Sequence, residues 1–154
     1  MSHPFAIRLM KITLEIPTQL SVEEAWRRLT NWRAHGEWIP LTKMIILHEG
    51  SEPGLGDRFI GRTGIGPIAF DDVMTVTQFE VPGAHGFCEV TKSGRLIKGS
   101  ASFEVKPTDG STVVIWVEDI PLPMFIDKVF GGILKVVGTW VFTAALSKAL
   151  RSAR

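Results

Sequence analysis

Hydrophobic and polar residues alternate over residues 9–16, which predicts a first β-strand. The segment Ser21-Val-Glu-Glu24 places a cap residue three positions before a Glu, which is typical of a helix start. The apolar residues that follow recur on one face and predict a short amphipathic helix over residues 22–29. A second short helix is predicted at residues 32–35, where Gly36 ends it.

A period of two dominates the middle of the chain, where β-prone runs alternate with turns rich in Gly and Pro. Short turns between consecutive strands imply an antiparallel meander. Pro121 and Pro123 end this run, and Pro123 opens a long helix that is predicted to reach about Arg151. The predicted strands of the meander are residues 43–48, 57–63, 68–79, 87–92, 97–106 and 112–120.

The last helix has the length and the apolar character needed to cover one face of the sheet. At 1.5 Å per residue it spans about 42 Å, and a single antiparallel sheet needs one face covered. Residues 129–147 hold one charge, Lys135, and nearly meet the criterion for a membrane-spanning helix. Burial in the hollow of a curved sheet is the preferred interpretation, and membrane contact is the alternative. Nothing divides the chain, so residues 1–154 are predicted to form a single domain.

Composition narrows the function classes. Hydrophobic residues make up 45% of the 154, and 15 glycines raise the apolar share to about 55%, above the ~45–50% of soluble domains. The 17 basic and 16 acidic residues leave a net charge of +1, without the basic surplus that nucleic-acid binding needs. Cys88 is the one cysteine, so no internal disulfide is possible, and residues 1–8 lack the apolar stretch of a signal peptide. Both features favour a cytoplasmic protein.

Several motifs that are spread over nearly the whole chain match one family. They are Leu14 to Pro17, Val22 to Trp26, Trp38-Ile-Pro-Leu, Gly54-Leu-Gly56, Val76-Thr-Gln-Phe79 and Val114-Ile-Trp116. With them the chain resembles the polyketide cyclase/dehydrase branch of the START-like superfamily, although Phe79 stands where that family usually has Trp. The resemblance implies an α+β helix-grip fold: a seven-stranded curved antiparallel sheet, two short helices and one long C-terminal helix.

The resemblance also implies a class of function. Relatives include lipid carriers, hormone receptors, ubiquinone-binding proteins, aromatase/cyclases and stress proteins, so the implied role is to hold a hydrophobic small molecule, without a cofactor, between sheet and helix. A Trp before Ile-Pro often lines the pocket mouth in this fold, which makes Trp38 a candidate; packing of the second helix is the equal alternative. The resemblance further turns Trp116, and with it Glu118, toward the last helix.

Alternation along the predicted strands assigns five candidate ligand-binding residues to inner faces. Every second residue of a strand shares a face, and small residues on such a face leave space. The five are Phe70, Met74, Gly99, Ala101 and Phe103. The last helix adds Ile133, Val137 and Trp140, among apolar residues that are expected to divide between cavity and core, and the resemblance adds Trp38 and Trp116.

Two acidic residues, Asp72 and Glu118, fall on the same inner faces. A carboxyl among apolar groups resists ionisation or seeks a cation, and Arg58 and Arg62 are the nearest cations by strand order. Asp72, Glu118 and Arg58 are therefore the candidate catalytic residues. The alternative is that a bulge turns the acids to solvent.

Three hypotheses follow for the function. The first is binding or carriage of a lipid, quinone or polyketide-like molecule in an apolar cavity. The second is a cofactor-independent aromatase/cyclase or dehydratase, in which a carboxyl moves protons and an Arg holds an enolate oxygen. The third is a protein-interaction or membrane-surface module, or a homodimer, through the outer apolar residues Val113, Ile115 and Val117. The four His lack metal-ligand spacing, so no metal site is predicted.

Overall fold

The computed structural model describes residues 7–151, except for the side chains of residues 7–9, 122–127 and 130. The elements are β1 (Ile7–Thr18), α1 (Val22–Leu29), a 3-10 turn (Trp32–Ala34), α2 (His35–Trp38), β2 (Thr42–His48), β3 (Arg58–Thr63), a second 3-10 turn (Gly66–Ile68), β4 (Phe70–Glu80), β5 (Gly86–Ser93), β6 (Lys98–Thr108), β7 (Ser111–Pro123) and α3 (Met124–Ala149). The signal-peptide prediction concerns residues 1–8, of which residues 1–6 lie outside the described residues.

The seven strands form one curved antiparallel sheet in the order β1-β7-β6-β5-β4-β3-β2. Strands β2 to β7 follow one another along the chain as a meander, as predicted. Strand β1 pairs with β7 over its whole length, from Ile7 opposite Pro123 to Thr18 opposite Thr112. The first strand therefore lies beside the strand that leads into α3. The predicted fold class is confirmed.

The two short helices differ in how well local signals place them. For α1, the predicted bounds and cap are both found, because Ser21 Oγ accepts the backbone N–H of Glu24 at 3.1 Å. The second helix was predicted to end at Gly36, but α2 continues through it to Trp38. A Cβ on Gly36 would lie 3.0 Å from the carbonyl oxygen of Thr42. Gly36 therefore allows close packing of α2 on β2 and does not end the helix.

Helix α3 is buried at its C-terminal end and exposed over much of the rest. Ala145, Leu146 and Ala149 are buried, whereas Trp140 is 72% exposed. The helix packs mainly on the edge strand β1, where a Cβ on Gly138 would lie 2.9 Å from Ile12 Cδ1. The prediction that the whole helix lies buried in the hollow of the sheet is therefore wrong for residues 132–137 and for Trp140, which are exposed. Within the described part of the chain, no helix combines the length and the hydropathy needed to cross a bilayer.

A buried carboxylate organises the loop between β2 and β3. Asp57 is 2% exposed, and its Oδ2 accepts the indole N–H of Trp32 at 2.8 Å and the backbone N–H of Gly54 at 2.9 Å. Its Oδ1 accepts the backbone N–H of Gly50 at 3.3 Å. One side chain thus joins this loop to the aromatic core, where Trp32 stacks on Phe59 with ring centroids 4.8 Å apart.

We expect Asp57→Ala to lower the free energy of unfolding by about 2–4 kcal/mol, because it leaves buried donors without an acceptor. Asp57→Asn keeps one oxygen acceptor and should cost less. Urea unfolding measures both variants, with the exposed hairpin substitution Asp109→Ala as the matched control. A loss of less than about 0.5 kcal/mol in Asp57→Ala would contradict this role.

Candidate functional site

An apolar cavity of about 270 Å³ lies between the concave face of the sheet and α3. Strands β3 to β7 supply most of its wall, and α3 contributes Val141 and Phe142. Aromatic rings dominate the lining: Trp32, Phe59, Phe70, Phe103, Trp116 and Phe142. Phe103 stacks on Trp116 at 5.7 Å between ring centroids, and Trp116 stacks on Phe142 at 6.2 Å. The sheet and the helix therefore meet through flat, rigid surfaces.

The cavity reaches solvent at one end of the sheet. Its deep wall is buried, but the lining residues at one set of strand ends are partly or fully exposed. The strand register places these ends together, since Thr42 pairs with Thr63 and Thr63 pairs with Phe70. We call this end the mouth; it is formed by Pro40, Thr63, Phe70, Ile97 and Ile120.

A buried cluster of three charged side chains interrupts the apolar wall. Lys92 Nζ lies 2.6 Å from Asp72 Oδ2 and 3.2 Å from Glu118 Oε2. The side chains of Lys92, Asp72 and Glu118 are 5%, 15% and 2% exposed. All three line the cavity. Charged groups are rarely buried to this degree unless they are paired.

A small residue on β6 allows the cluster to form across the sheet. Ala101 lies opposite Glu118 of β7 on one side and opposite Val90 of β5, two residues from Lys92, on the other. Because Ala101 fills little of the space, the long lysine side chain reaches over β6. On the other side, Lys92 pairs with Met74 of β4, two residues from Asp72.

Two carboxyl oxygens of the cluster have no hydrogen-bond partner among the described residues. Glu118 Oε1 accepts the indole N–H of Trp116 at 3.0 Å. Glu118 Oε2 and Asp72 Oδ1 are buried, and no described protein group makes a hydrogen bond to either. The 3.2 Å contact of Oε2 with Lys92 is an ion pair without hydrogen-bond alignment. A guest molecule in the cavity can satisfy both oxygens.

The electrostatics of the cluster favour retention of an extra proton. Burial raises the pKa of the Glu118 carboxyl, with Lys92 acting against the shift. Burial alone would lower the pKa of the Lys92 ammonium, but Glu118 and Asp72 outweigh it and raise that pKa. One cation thus faces two carboxyls. Lys92 stays charged, and the Glu118 carboxyl, whose pKa is raised, holds its proton to a higher pH than a carboxyl in water does.

His35 is a neutral acceptor in the cavity wall. Its Nε2 lies 2.8 Å from the carbonyl oxygen of Leu29, which can only accept, so Nε2 carries the hydrogen. Burial lowers the pKa of His35 to about 4. The ring is therefore uncharged at neutral pH, with Nδ1 as its acceptor nitrogen.

Seven of the candidate residues lie where the strand alternation predicted. The cavity wall includes Phe70, Asp72, Met74, Ala101, Phe103, Trp116 and Glu118. Both acids face inward, and no bulge turns them to solvent. Their roles in binding or catalysis remain predictions.

The predicted partner of these acids was wrong. Arg58 is exposed on the outer face of β3, because the inner face of that strand holds Phe59 and Gly61. Arg62 is also on the outer face, where its Nε lies 2.7 Å from Asp71 Oδ1. The cation is Lys92. The alternation along β5 contains the missed signal, because Cys88, Val90 and Lys92 share one face and all line the cavity.

Five further candidates lie outside the cavity wall. Ile133, Val137 and Trp140 are 65%, 52% and 72% exposed, because α3 turns another side toward β1. Trp38 is buried against His35, with ring centroids 4.4 Å apart; it packs α2, which was its alternative interpretation. Gly99 has φ +117°, and an added Cβ would collide with the carbonyl oxygen of Asp119. Its small size therefore serves a backbone contact.

Comparison with known proteins found similar solved structures but no similar sequences. No protein-family model and no curated protein sequence matches the chain. Truncated norcoclaurine synthase from Thalictrum flavum matches with TM-score 0.68 and 13% identity over 99% of this chain and 100% of that one. The Zhui aromatase/cyclase from a Streptomyces species matches with TM-score 0.63 and 13% identity over 92% and 94%.

A hypothetical protein from Helicobacter pylori matches with TM-score 0.71 and 12% identity over 97% of both chains. The chain has the helix-grip fold. The START-like resemblance that the sequence motifs indicated is thereby confirmed as a resemblance of fold. At these identities the helix-grip fold does not decide the ligand or the reaction.

We expect stability to fall between pH 6.5 and pH 4 because of His35. The folded-state pKa is about 4 against an ordinary value of 6.5, so the unfolded chain takes up the proton first. The contribution of neutral His35 to the free energy of unfolding is fully present above pH 6.5. It is lost as the pH falls toward 4, and the total loss is about 3 kcal/mol.

Urea unfolding of His35→Gln, which retains an N–H donor for Leu29, should show a smaller fall than the wild type over the same pH range. The exposed substitution His48→Gln is the matched control. Equal pH dependence in wild type and His35→Gln would contradict the assignment.

Proposed function

We propose that the protein binds a small, largely apolar molecule that carries one or two hydrogen-bonding oxygen groups. The apolar body lies among the aromatic walls, and the oxygen lies against Lys92, Asp72 and Glu118. The observation that carries this proposal is the buried ion cluster in an otherwise apolar cavity, with two carboxyl oxygens that lack hydrogen-bond partners.

The size of the cavity supports a compact ligand. Its volume of about 270 Å³ is just below the ~300–1,000 Å³ range of ligand-binding clefts. A molecule of one to three rings suits this space better than a lipid with two long acyl chains. The flat stacking of Phe103, Trp116 and Phe142 also suits a planar ring system.

The cluster supports an oxygen-bearing ligand over a hydrocarbon. The Lys92 ammonium can donate to a carbonyl, phenol or enolate oxygen, and Asp72 Oδ1 can accept a hydroxyl hydrogen. A hydrocarbon would leave Asp72 Oδ1 and Glu118 Oε2 without hydrogen-bond partners, which costs binding free energy. Phenols and cyclic ketones, including polyketide-like compounds, meet these requirements.

A second candidate function is cofactor-independent acid–base catalysis on such a ligand. The observation in its favour is the raised pKa of Glu118 beside the charged Lys92. A carboxyl of raised pKa can take a proton from a carbon next to a ketone and return it elsewhere, while the ammonium stabilises the enolate oxygen. The fold neighbours that are named aromatase/cyclase and norcoclaurine synthase make this chemistry worth testing.

A matched pair of probes tests the binding proposal. 2-Naphthol and naphthalene share the same ring body and differ by one hydroxyl. Calorimetry should show that wild type binds 2-naphthol about 10- to 100-fold more tightly than naphthalene, the difference expected for a hydrogen bond to a charged group.

Lys92→Met keeps the length of the side chain and removes its charge. It should abolish most of that preference while leaving the affinity for naphthalene within about three-fold of wild type. Lys98→Met makes the same substitution at an exposed site and should change neither affinity. Equal binding of the two probes by wild type, or an unchanged preference in Lys92→Met, would refute the proposal.

Glu118→Gln tests the catalytic candidate. The amide keeps an acceptor for the Trp116 indole N–H but cannot carry the proton, so turnover of a poly-β-ketone substrate should fall by about 10²–10⁴-fold. Binding of 2-naphthol, which also has Lys92 and Asp72 as partners, should persist. The measurement is product formation by mass spectrometry. Unchanged turnover in this variant would exclude Glu118 as the proton carrier.

A further inference from the structure

Four exposed apolar side chains lie in the loops around the mouth. Leu41 is 66% exposed, and Ile65 and Ile68, between β3 and β4, are 66% and 79% exposed. Leu96, between β5 and β6, is 80% exposed. The register places these loops at one end of the sheet, since Thr42 pairs with Thr63 and Ser93 pairs with Lys98. We call these four residues the apolar tips.

The start of α3 continues this surface. The helix begins directly after β7 at the mouth end and carries Val129, Ile133, Val136 and Trp140 at spacings that place them on one stripe. They are between 65% and 72% exposed. Lys135 on the same helix is also exposed. Exposed apolar side chains on a helix can enter the interfacial layer of a membrane.

Basic side chains accompany the apolar tips. Lys43, Arg95, Lys98 and Lys128 are exposed at or beside this end, and none is paired with a described acidic side chain.

The described acids of this end are mostly engaged. Asp71 is paired with Arg62, Asp72 and Glu118 are paired with Lys92 inside the cavity, and Oδ1 of Asp119 is buried. The opposite end of the sheet differs in charge. Its loops and strand ends present Glu52, Glu80 and Asp109, and Glu49 there is paired with Arg33. The free positive charge therefore faces the same way as the mouth.

We propose that the mouth end docks on an anionic lipid bilayer. The apolar tips and the α3 stripe would enter the interfacial layer, and the four basic side chains would contact acidic headgroups. A bilayer explains the pattern better than a folded partner does, because the tips stand on three separate loops, each with a basic residue in it or close by, and do not form one groove. With the mouth end docked, the cavity opens onto the bilayer, in which apolar molecules collect. Entry of a ligand from the bilayer rests on the proposed function; the docking itself does not.

Vesicle flotation tests the docking directly. Wild type should float with vesicles that contain about 30% phosphatidylserine in phosphatidylcholine, float poorly with phosphatidylcholine alone, and detach as salt rises toward about 0.5 M. The variant Ile65→Ser/Ile68→Ser should lower the partition coefficient at least about ten-fold. Arg95→Gln/Lys98→Gln should lower it by about 10- to 30-fold, since each basic residue near an anionic surface contributes about five-fold.

Matched controls at the far end are Leu55→Ser/Val81→Ser and Lys106→Gln, which should leave flotation unchanged. Circular dichroism and urea unfolding of each variant verify that it is folded. Lys92→Met should still float, so failure of the ligand proposal and failure of docking are distinguishable. Absence of wild-type flotation, or equal flotation of the Ile65→Ser/Ile68→Ser variant, would overturn the proposal. So would a dimer in sedimentation velocity that this variant dissociates, because a second copy would then cover the surface.

Discussion

The contact of the Lys92 ammonium with two carboxyls in an apolar wall is the interaction on which the proposed function depends. Removing three charged groups from water is costly, and their mutual attraction compensates for the cost only in part. The hydrophobic core does not need them: Trp26, Phe79 and Phe103 pack together with ring centroids 5.1 and 5.5 Å apart without any ion pair. In a largely apolar cavity, the cluster supplies the charged groups that can fix the orientation of a bound molecule.

The features that the sequence predicted well are those that depend on one strand at a time. Alternation within β4, β6 and β7 put Asp72, Ala101, Phe103 and Glu118 on inner faces, because side-chain direction in a strand follows the period of two. The cap of α1 was equally local. The antiparallel order followed from short turns between neighbouring strands.

The features that the sequence missed depend on how strands and helices lie against one another. The contact of Lys92 with Glu118 crosses β6 and exists because Ala101 is small there; no single strand contains that information. Arg58 was placed inward by strand order alone, one position out of phase with Phe59. In α3 apolar residues occur on most sides, so its composition could not show that Gly138 turns toward β1 while Trp140 faces solvent.

The most direct test of the account is a crystal structure of the protein with 2-naphthol bound. We expect the ring system inside the cavity, against the stacked rings of Phe103, Trp116 and Phe142, with the hydroxyl oxygen within about 3 Å of Lys92 Nζ or a cluster carboxyl oxygen. A naphthol bound elsewhere, or one inside the cavity with its oxygen turned away from all three charged groups, would contradict it.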